Sequence, residues 1–155
     1  MINFMRISIL LPALLVSACA VRQESKNGEK YSTAVYYNDD FRYHDIESAQ
    51  RRTNRLINPD TLYIFFENEF ELDTVEINID GKKTQTLYLT TDQGIELADM
   101  VKYGDIKSID KIEIAKNNGA PLIFEITDKA MNLWSVTFWN DTLAARRKKF
   151  LKSYM

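Results

Sequence analysis

From Thr61 onward the apolar residues fall on alternate positions, in short runs separated by turn residues. Thr74 to Ile79 sets Val75, Ile77 and Ile79 against Glu76 and Asn78. Asp80-Gly81 follows, and Lys83 to Thr91 alternates again through Leu87 and Leu89. An Asp-Gly pair between two alternating runs predicts a hairpin, because glycine takes the positive φ that a two-residue turn demands. Ile109 to Ala115 alternates through Ile112 and Ile114, and Asn117-Asn118-Gly119 turns the chain into the run Leu122, Phe124, Ile126. Asp128 to Asn132 turns it once more, and Leu133 to Trp139 closes the series with Trp134, Val136 and Phe138 on one face. Thr61 to Glu67 reads Thr-Leu-Tyr-Ile-Phe-Phe-Glu, apolar on both faces, which suits a strand covered on each side.

The flanking segments are less regular. Tyr31 to Tyr37 is rich in aromatic and β-branched residues and predicts a strand. In Asp45 to Leu56, Asp45 is placed to cap a short helix carrying Arg51, Arg52 and Arg55, and Asn58-Pro59-Asp60 ends anything helical there. Ile95, Leu97, Ala98 and Val101 predict a second short helix between Gly94 and Gly104. Asn140 or Asp141 is placed to cap a basic terminal helix with Leu143, Phe150 and Leu151 inward. Runs at intervals of about 8–12 residues predict a mainly β fold, an antiparallel β-sandwich of roughly six to eight strands with one or two short helices. The pattern over residues 61 to 139 resembles immunoglobulin-like and transthyretin-like sandwiches in general, and fold alone assigns no function.

The amino-terminal 18 residues follow a different rule. Arg6 precedes an apolar run from Ile7 to Val16, and the small residues Ser17 and Ala18 lead to Cys19, the chain's single cysteine. Such a stretch is too short to span a bilayer and has the three parts of a secretory signal. The run Leu15-Val16-Ser17-Ala18-Cys19 resembles the lipobox of bacterial lipoproteins. That resemblance implies diacylglycerol on the Cys19 thiol, cleavage before it and acylation of the new amino terminus. In a Gram-negative host it also implies outer-membrane sorting, because Ala20 and Val21 follow where an aspartate would retain the protein at the inner membrane. An uncleaved anchor and an ordinary secretory signal are the competing readings. The expected organisation is a signal peptide at 1–18, a lipidated cysteine and polar tether at 19–30, and one β-rich domain at 31–155 with a basic carboxy-terminal helix or tail.

Composition narrows the partners. The whole chain carries a formal charge of −2, and the processed chain, which loses Arg6, carries 19 basic against 22 acidic residues. So mild an imbalance gives no field for gripping nucleic acid. His44 is the one histidine and Cys19 would be spent on lipid, so a structural zinc site lacks ligands, and no cofactor is expected. Ser108-Ile109-Asp110-Lys111 spells the S-x-x-K of penicillin-binding proteins, but it enters a predicted strand, where serine and lysine separate. Glu67, Glu69, Glu71 and Asp73 lack the spacing of a calcium loop and are expected to be a solvated strand edge.

Two sets of residues are candidates for binding. The basic run Arg146, Arg147, Lys148, Lys149 and Lys152 would suit phosphates of lipopolysaccharide or phospholipid, or an acidic protein. Tyr63, Phe65, Tyr88 and Trp139 fall opposite the presumed core residues of their strands, where they would meet either a partner or a covering segment. The sequence therefore points to a lipid-anchored, non-catalytic envelope protein with an accessory or immunity-type role, which binds a protein or envelope component. The alternative is a small hydrolase of cell-wall glycan or peptide, which requires His44 or the Glu67–Asp73 carboxylates to converge in a cleft.

Overall fold

The computed structural model describes residues 28–39 and 42–154. The leader, Cys19 and the tether up to residue 27 lie outside the described residues. Among the described residues nine strands form: β1 (Ser32–Tyr36), β2 (Leu62–Glu67), β3 (Asp73–Ile79), β4 (Lys82–Leu89), β5 (Leu97–Tyr103), β6 (Lys111–Lys116), β7 (Leu122–Glu125), β8 (Leu133–Trp139) and β9 (Thr142–Lys148). A helix, α1 (Ile46–Leu56), lies between β1 and β2, and a 3-10 turn (Ile106–Ser108) precedes β6.

The strands make a β-sandwich, with a five-stranded sheet β1-β9-β8-β2-β5 over a four-stranded sheet β4-β3-β6-β7. The four-stranded sheet is antiparallel throughout. The five-stranded sheet is mixed, because β1 runs parallel to β9 and β2 parallel to β8. Alternation within a strand cannot tell a parallel neighbour from an antiparallel one, which is why the sequence pattern reads as wholly antiparallel.

The inner faces meet in one core. Leu62, Ile64 and Phe66 of β2 pack with Trp134 and Val136 of β8, Leu143 and Ala145 of β9, and Val75, Ile77, Ile112, Ile114, Leu122 and Phe124 of the opposite sheet. Phe124 and Trp134 span the two sheets with ring centroids 4.4 Å apart. Fully burying an apolar side chain of this size contributes about 1.5–3 kcal/mol, so these positions supply most of the driving force.

Two predicted helices are strands instead. Gly94 to Gly104 yields β5, paired antiparallel with β2, and a register shift between Phe66 and Glu67 absorbs its start. Its spacing fits a helix, but pairing with the buried β2 outweighs a weak local preference. The basic terminal helix is β9, because Asn140 and Asp141 form a two-residue turn with φ of 47° and 53° and send the chain back along β8. Asn and Asp tolerate that left-handed geometry, which the primed hairpin turns require. Beyond Lys148 the chain continues as an irregular segment rather than a helix.

The start of the described chain is already part of the domain. Glu29 donates its backbone N–H to Asn117 O at 3.2 Å, and its carboxylate lies 2.5 Å from Lys116 Nζ. Lys116 also pairs with Asp73 at 2.9 Å, its ammonium stands 4.1 Å from the Phe138 ring centroid, and its side chain is 4% exposed. Asn117 Nδ2 donates to both carboxylates, at 2.8 and 2.7 Å. Tyr31 caps the cluster, its hydroxyl accepting from Lys116 N at 2.8 Å and donating to Lys116 O at 3.1 Å. Burial pushes the Tyr31 hydroxyl above its ordinary pKa. This ionic knot fixes the amino-terminal segment to the β6–β7 turn.

Candidate functional site

Strand alternation turns Tyr63, Phe65 and Glu67 of β2 toward the outer face of the five-stranded sheet, yet all three are buried. The carboxy-terminal segment and the residues after α1 cover them. Tyr154 stacks on Phe65 with centroids 5.5 Å apart and donates its hydroxyl to Glu67 Oε1 at 2.6 Å. Burial, then the Glu67 charge, push the Tyr154 hydroxyl strongly upward. Ile57, Leu97, Met100, Leu133 and Leu151 complete this second apolar layer, and Tyr63 Oη accepts from Asn58 N at 3.0 Å. Tyr63 and Phe65 are therefore packing residues, not a binding surface.

Above this layer, α1 begins where Asp45 caps it, accepting from Ser48 N at 3.0 Å. The Ser48 hydroxyl and backbone bonds hold the Asp45 carboxyl below the usual carboxylate range. Arg52 then ties α1 to the terminal segment, donating from Nε and Nη2 to Leu151 O at 3.2 and 3.1 Å. Thr53 Oγ1 accepts from Leu151 N at 2.8 Å. Between helix and segment runs an open groove of about 650 Å³, bordered by Arg51, Arg52, Arg55, Leu56, Leu151 and Lys152. That volume falls within the usual range for small-ligand sites. Arg51 contacts Glu47 at 3.3 Å and Ser48 Oγ at 3.0 Å, both on α1. Lys152 pairs with Glu96 at 2.9 Å, which holds the Glu96 carboxyl below its ordinary range. Among the described residues Arg55 has neither a hydrogen-bond nor an ion-pair partner.

The basic run is not one patch. Arg146 and Lys148 alternate with Arg147 across β9, and each meets something different. Arg146 stacks 4.3 Å from the Tyr36 ring centroid, while Arg147 sits 5.9 Å from the Tyr37 ring and 3.9 Å from Asp128 Oδ2. Burial pulls the Lys148 ammonium below its ordinary pKa, with Glu67 and Asp39 opposing. Lys149 donates its backbone N–H to Asp39 Oδ2 at 2.6 Å and holds its ammonium over Phe150. Only Lys152 reaches the groove. Trp139 and Tyr88 are exposed, at 56% and 83%, but they stand on the outer faces of opposite sheets. The groove cations Arg51, Arg52 and Arg55 were visible in the sequence as three arginines in five residues, a density that the charge of the β9 run overshadows.

The remaining chemical candidates are dispersed. His44 is exposed ahead of α1. Ser108 Oγ donates to Asp105 O at 2.8 Å in the 3-10 turn, whereas Lys111 starts β6 and pairs with Glu113 at 2.7 Å, which raises its ammonium pKa. The acidic stretch is not a solvated strand edge. Glu67 and Asp73 are 4% and 5% exposed and end on Tyr154 and Lys116, while Glu69 and Glu71 occupy the exposed loop between β2 and β3. The reason is that β2 stops at Glu67, and Asn68 and Leu72 take positive φ, which breaks the alternation. Among the described residues no group of three His, Cys, Asp or Glu side chains is arranged to hold a metal ion.

No family model matches the chain, and no curated protein matches it. Among solved structures, the CBM25-2 domain of the β/α-amylase from Paenibacillus polymyxa aligns with a TM-score of 0.39 at 14% identity. The alignment covers 60% of this chain and 96% of that one.

Proposed function

We propose that this is a lipid-anchored protein of the bacterial outer membrane whose β-sandwich binds a protein or envelope component without catalysing a reaction. The single observation that carries the binding role is the groove between α1 and the carboxy-terminal segment, which is large, open and bordered by a guanidinium engaged by nothing else described. Neither His44 nor the carboxylates of residues 67–73 border this groove, which favours binding over hydrolysis there.

The anchor follows from the run that ends at Cys19. With Glu29 locked to Lys116, eight residues separate Cys19 from Gly28. A chain of that length reaches at most about 32 Å when fully extended. The sandwich would stay within roughly one domain diameter of the bilayer, where the groove meets envelope lipids, glycolipids and proteins bound to them.

The test is site-specific photocrosslinking in cells that produce the full chain. A photoreactive residue at Leu56, on the groove lip, is expected to yield a discrete adduct, and one at Ile123, on the opposite sheet, is not. No adduct from Leu56, or equal adducts from both positions, contradicts the reading.

A further inference from the structure

We propose that the groove between α1 and the carboxy-terminal segment is a binding site for a phosphate monoester, gripped by Arg51 and Arg55 and faced by Lys152. This deepens the binding role proposed above and relies on it only for the source of the ligand, an envelope lipid or glycolipid.

The helix crowds three cations into adjoining positions. Arg51 and Arg55 stand at i and i+4, and Arg52 and Arg55 at i and i+3, spacings at which like charges face each other and destabilise a helix. Arg52 is committed to Leu151 O and serves as a wall of the groove. Arg55 is exposed, and Arg51 is held only by exposed contacts within α1, to Glu47 and to Ser48 Oγ, which an anion can replace. Lys152 arrives from a segment almost 100 residues away and brings its charge to the same groove. Arg51, Arg52, Arg55 and Lys152 give four positive charges, against three negative ones from Glu47, Glu96 and Asp45, which acts on Arg51. The surplus of positive charge favours an anion, and a phosphate monoester carries roughly −1.5 to −2 at neutral pH.

Shape argues for an ester over the bare ion. A water claims about 30 Å³ of liquid volume, so a groove of about 650 Å³ holds far more than one phosphate. Leu56, 54% exposed, and Leu151 line its lip with apolar surface that an organic stem would cover. Arginine forks bind phosphate oxygens in pairs, which makes them better suited to this task than lysine.

The competing explanation is that Arg55 merely complements the carboxy-terminal end of the α1 dipole. Calorimetric titration of the full protein in neutral detergent separates the two. The probes are dihexanoyl phosphatidic acid, inorganic phosphate and dihexanoyl phosphatidylcholine. Saturable binding of phosphatidic acid is expected, tighter than that of phosphate, with phosphatidylcholine inert. Arg51→Gln and Arg55→Gln should each weaken it about tenfold or more, the loss of one charge-assisted contact. Leu56→Glu should do the same by placing a negative charge on the lip, and Lys82→Gln, on the other sheet, should leave it unchanged. Phosphate bound as tightly as phosphatidic acid would overturn the ester assignment. Absence of saturable binding, or wild-type affinity in both arginine variants, would overturn the site. Repeating the titration on Cys19→Ala separates a failure of anchoring from a failure of the groove, because the groove does not use the acyl chains.

Discussion

Replacing Lys116 by methionine probes the knot that fastens the amino-terminal segment to the sandwich. The lysine side chain is 4% exposed, Asp73 7% and Glu29 33%, so the Asp73 pair is nearly dry and the Glu29 pair is partly wet. Methionine keeps the stem that packs over Phe138 but withdraws the charge. Asp73 then keeps Asn117 Nδ2 and the Glu71 N–H as donors and loses its counter-ion. Breaking a buried pair by removing one partner costs about 3–5 kcal/mol, and those two donors place the loss near the lower end, about 3 kcal/mol. For a domain of this size that is a fall in Tm of about 10 °C. Urea unfolding followed by tryptophan fluorescence measures it. Asp73→Asn in the same background should recover part of the loss, a coupling of about 1–3 kcal/mol in the double-mutant cycle. A cost below about 1 kcal/mol, or strictly additive single substitutions, would refute the account of the knot.

Tyr154→Phe should destabilise the protein by about 1–3 kcal/mol, because buried Glu67 loses the hydroxyl it accepts from, and urea unfolding reads the change. Gly119→Ala should do the same and should make the amino-terminal segment protease-sensitive, since a methyl there collides with the Tyr31 ring and Glu29 O. Stability should fall in alkali. Tyr31, Tyr43, Tyr103 and Tyr154 all have their pKa raised above 10.0, mainly by burial, and Tyr103 is pushed up to about 12. The folded state then holds more protons than the unfolded one above pH 10, so this contribution is full below pH 10 and is lost as pH rises through the folded values. Absorbance at 295 nm should show these four ionising together with unfolding. Ionisation of all eight tyrosines while the protein stays folded would contradict that.

The sequence disclosed what depends on neighbours along the chain and hid what depends on neighbours in space. Val75, Ile77, Leu87, Leu89, Ile112 and Ile114 alternate, so their burial and the Asp80-Gly81 hairpin were legible. Asp45 offered a cap for α1, although the segment Asp45 to Leu56 is ambiguous by its pattern alone. The parallel pairs β1–β9 and β2–β8 join segments far apart in the chain, and no local pattern encodes them. Leu143 and Ala145 alternate as a strand requires, but the adjoining cluster of arginine and lysine suggested a helix end. Tyr63 and Phe65 were correctly placed off the core face, and only coordinates reveal that Tyr154 and Leu151 cover them. The groove was hidden for the same reason, because Lys152 meets Arg51 and Arg55 only once β9 has carried the chain back across the sheet.

The claim on which the functional reading rests is that the sandwich is moored to a bilayer through Cys19. Intact-mass and tandem mass spectrometry of the membrane-extracted protein test it most directly. The account predicts a chain that begins at Cys19, with a diacylglycerol thioether and an acylated amino terminus. A free Cys19 thiol, or a chain that retains residues 1–18, would contradict it.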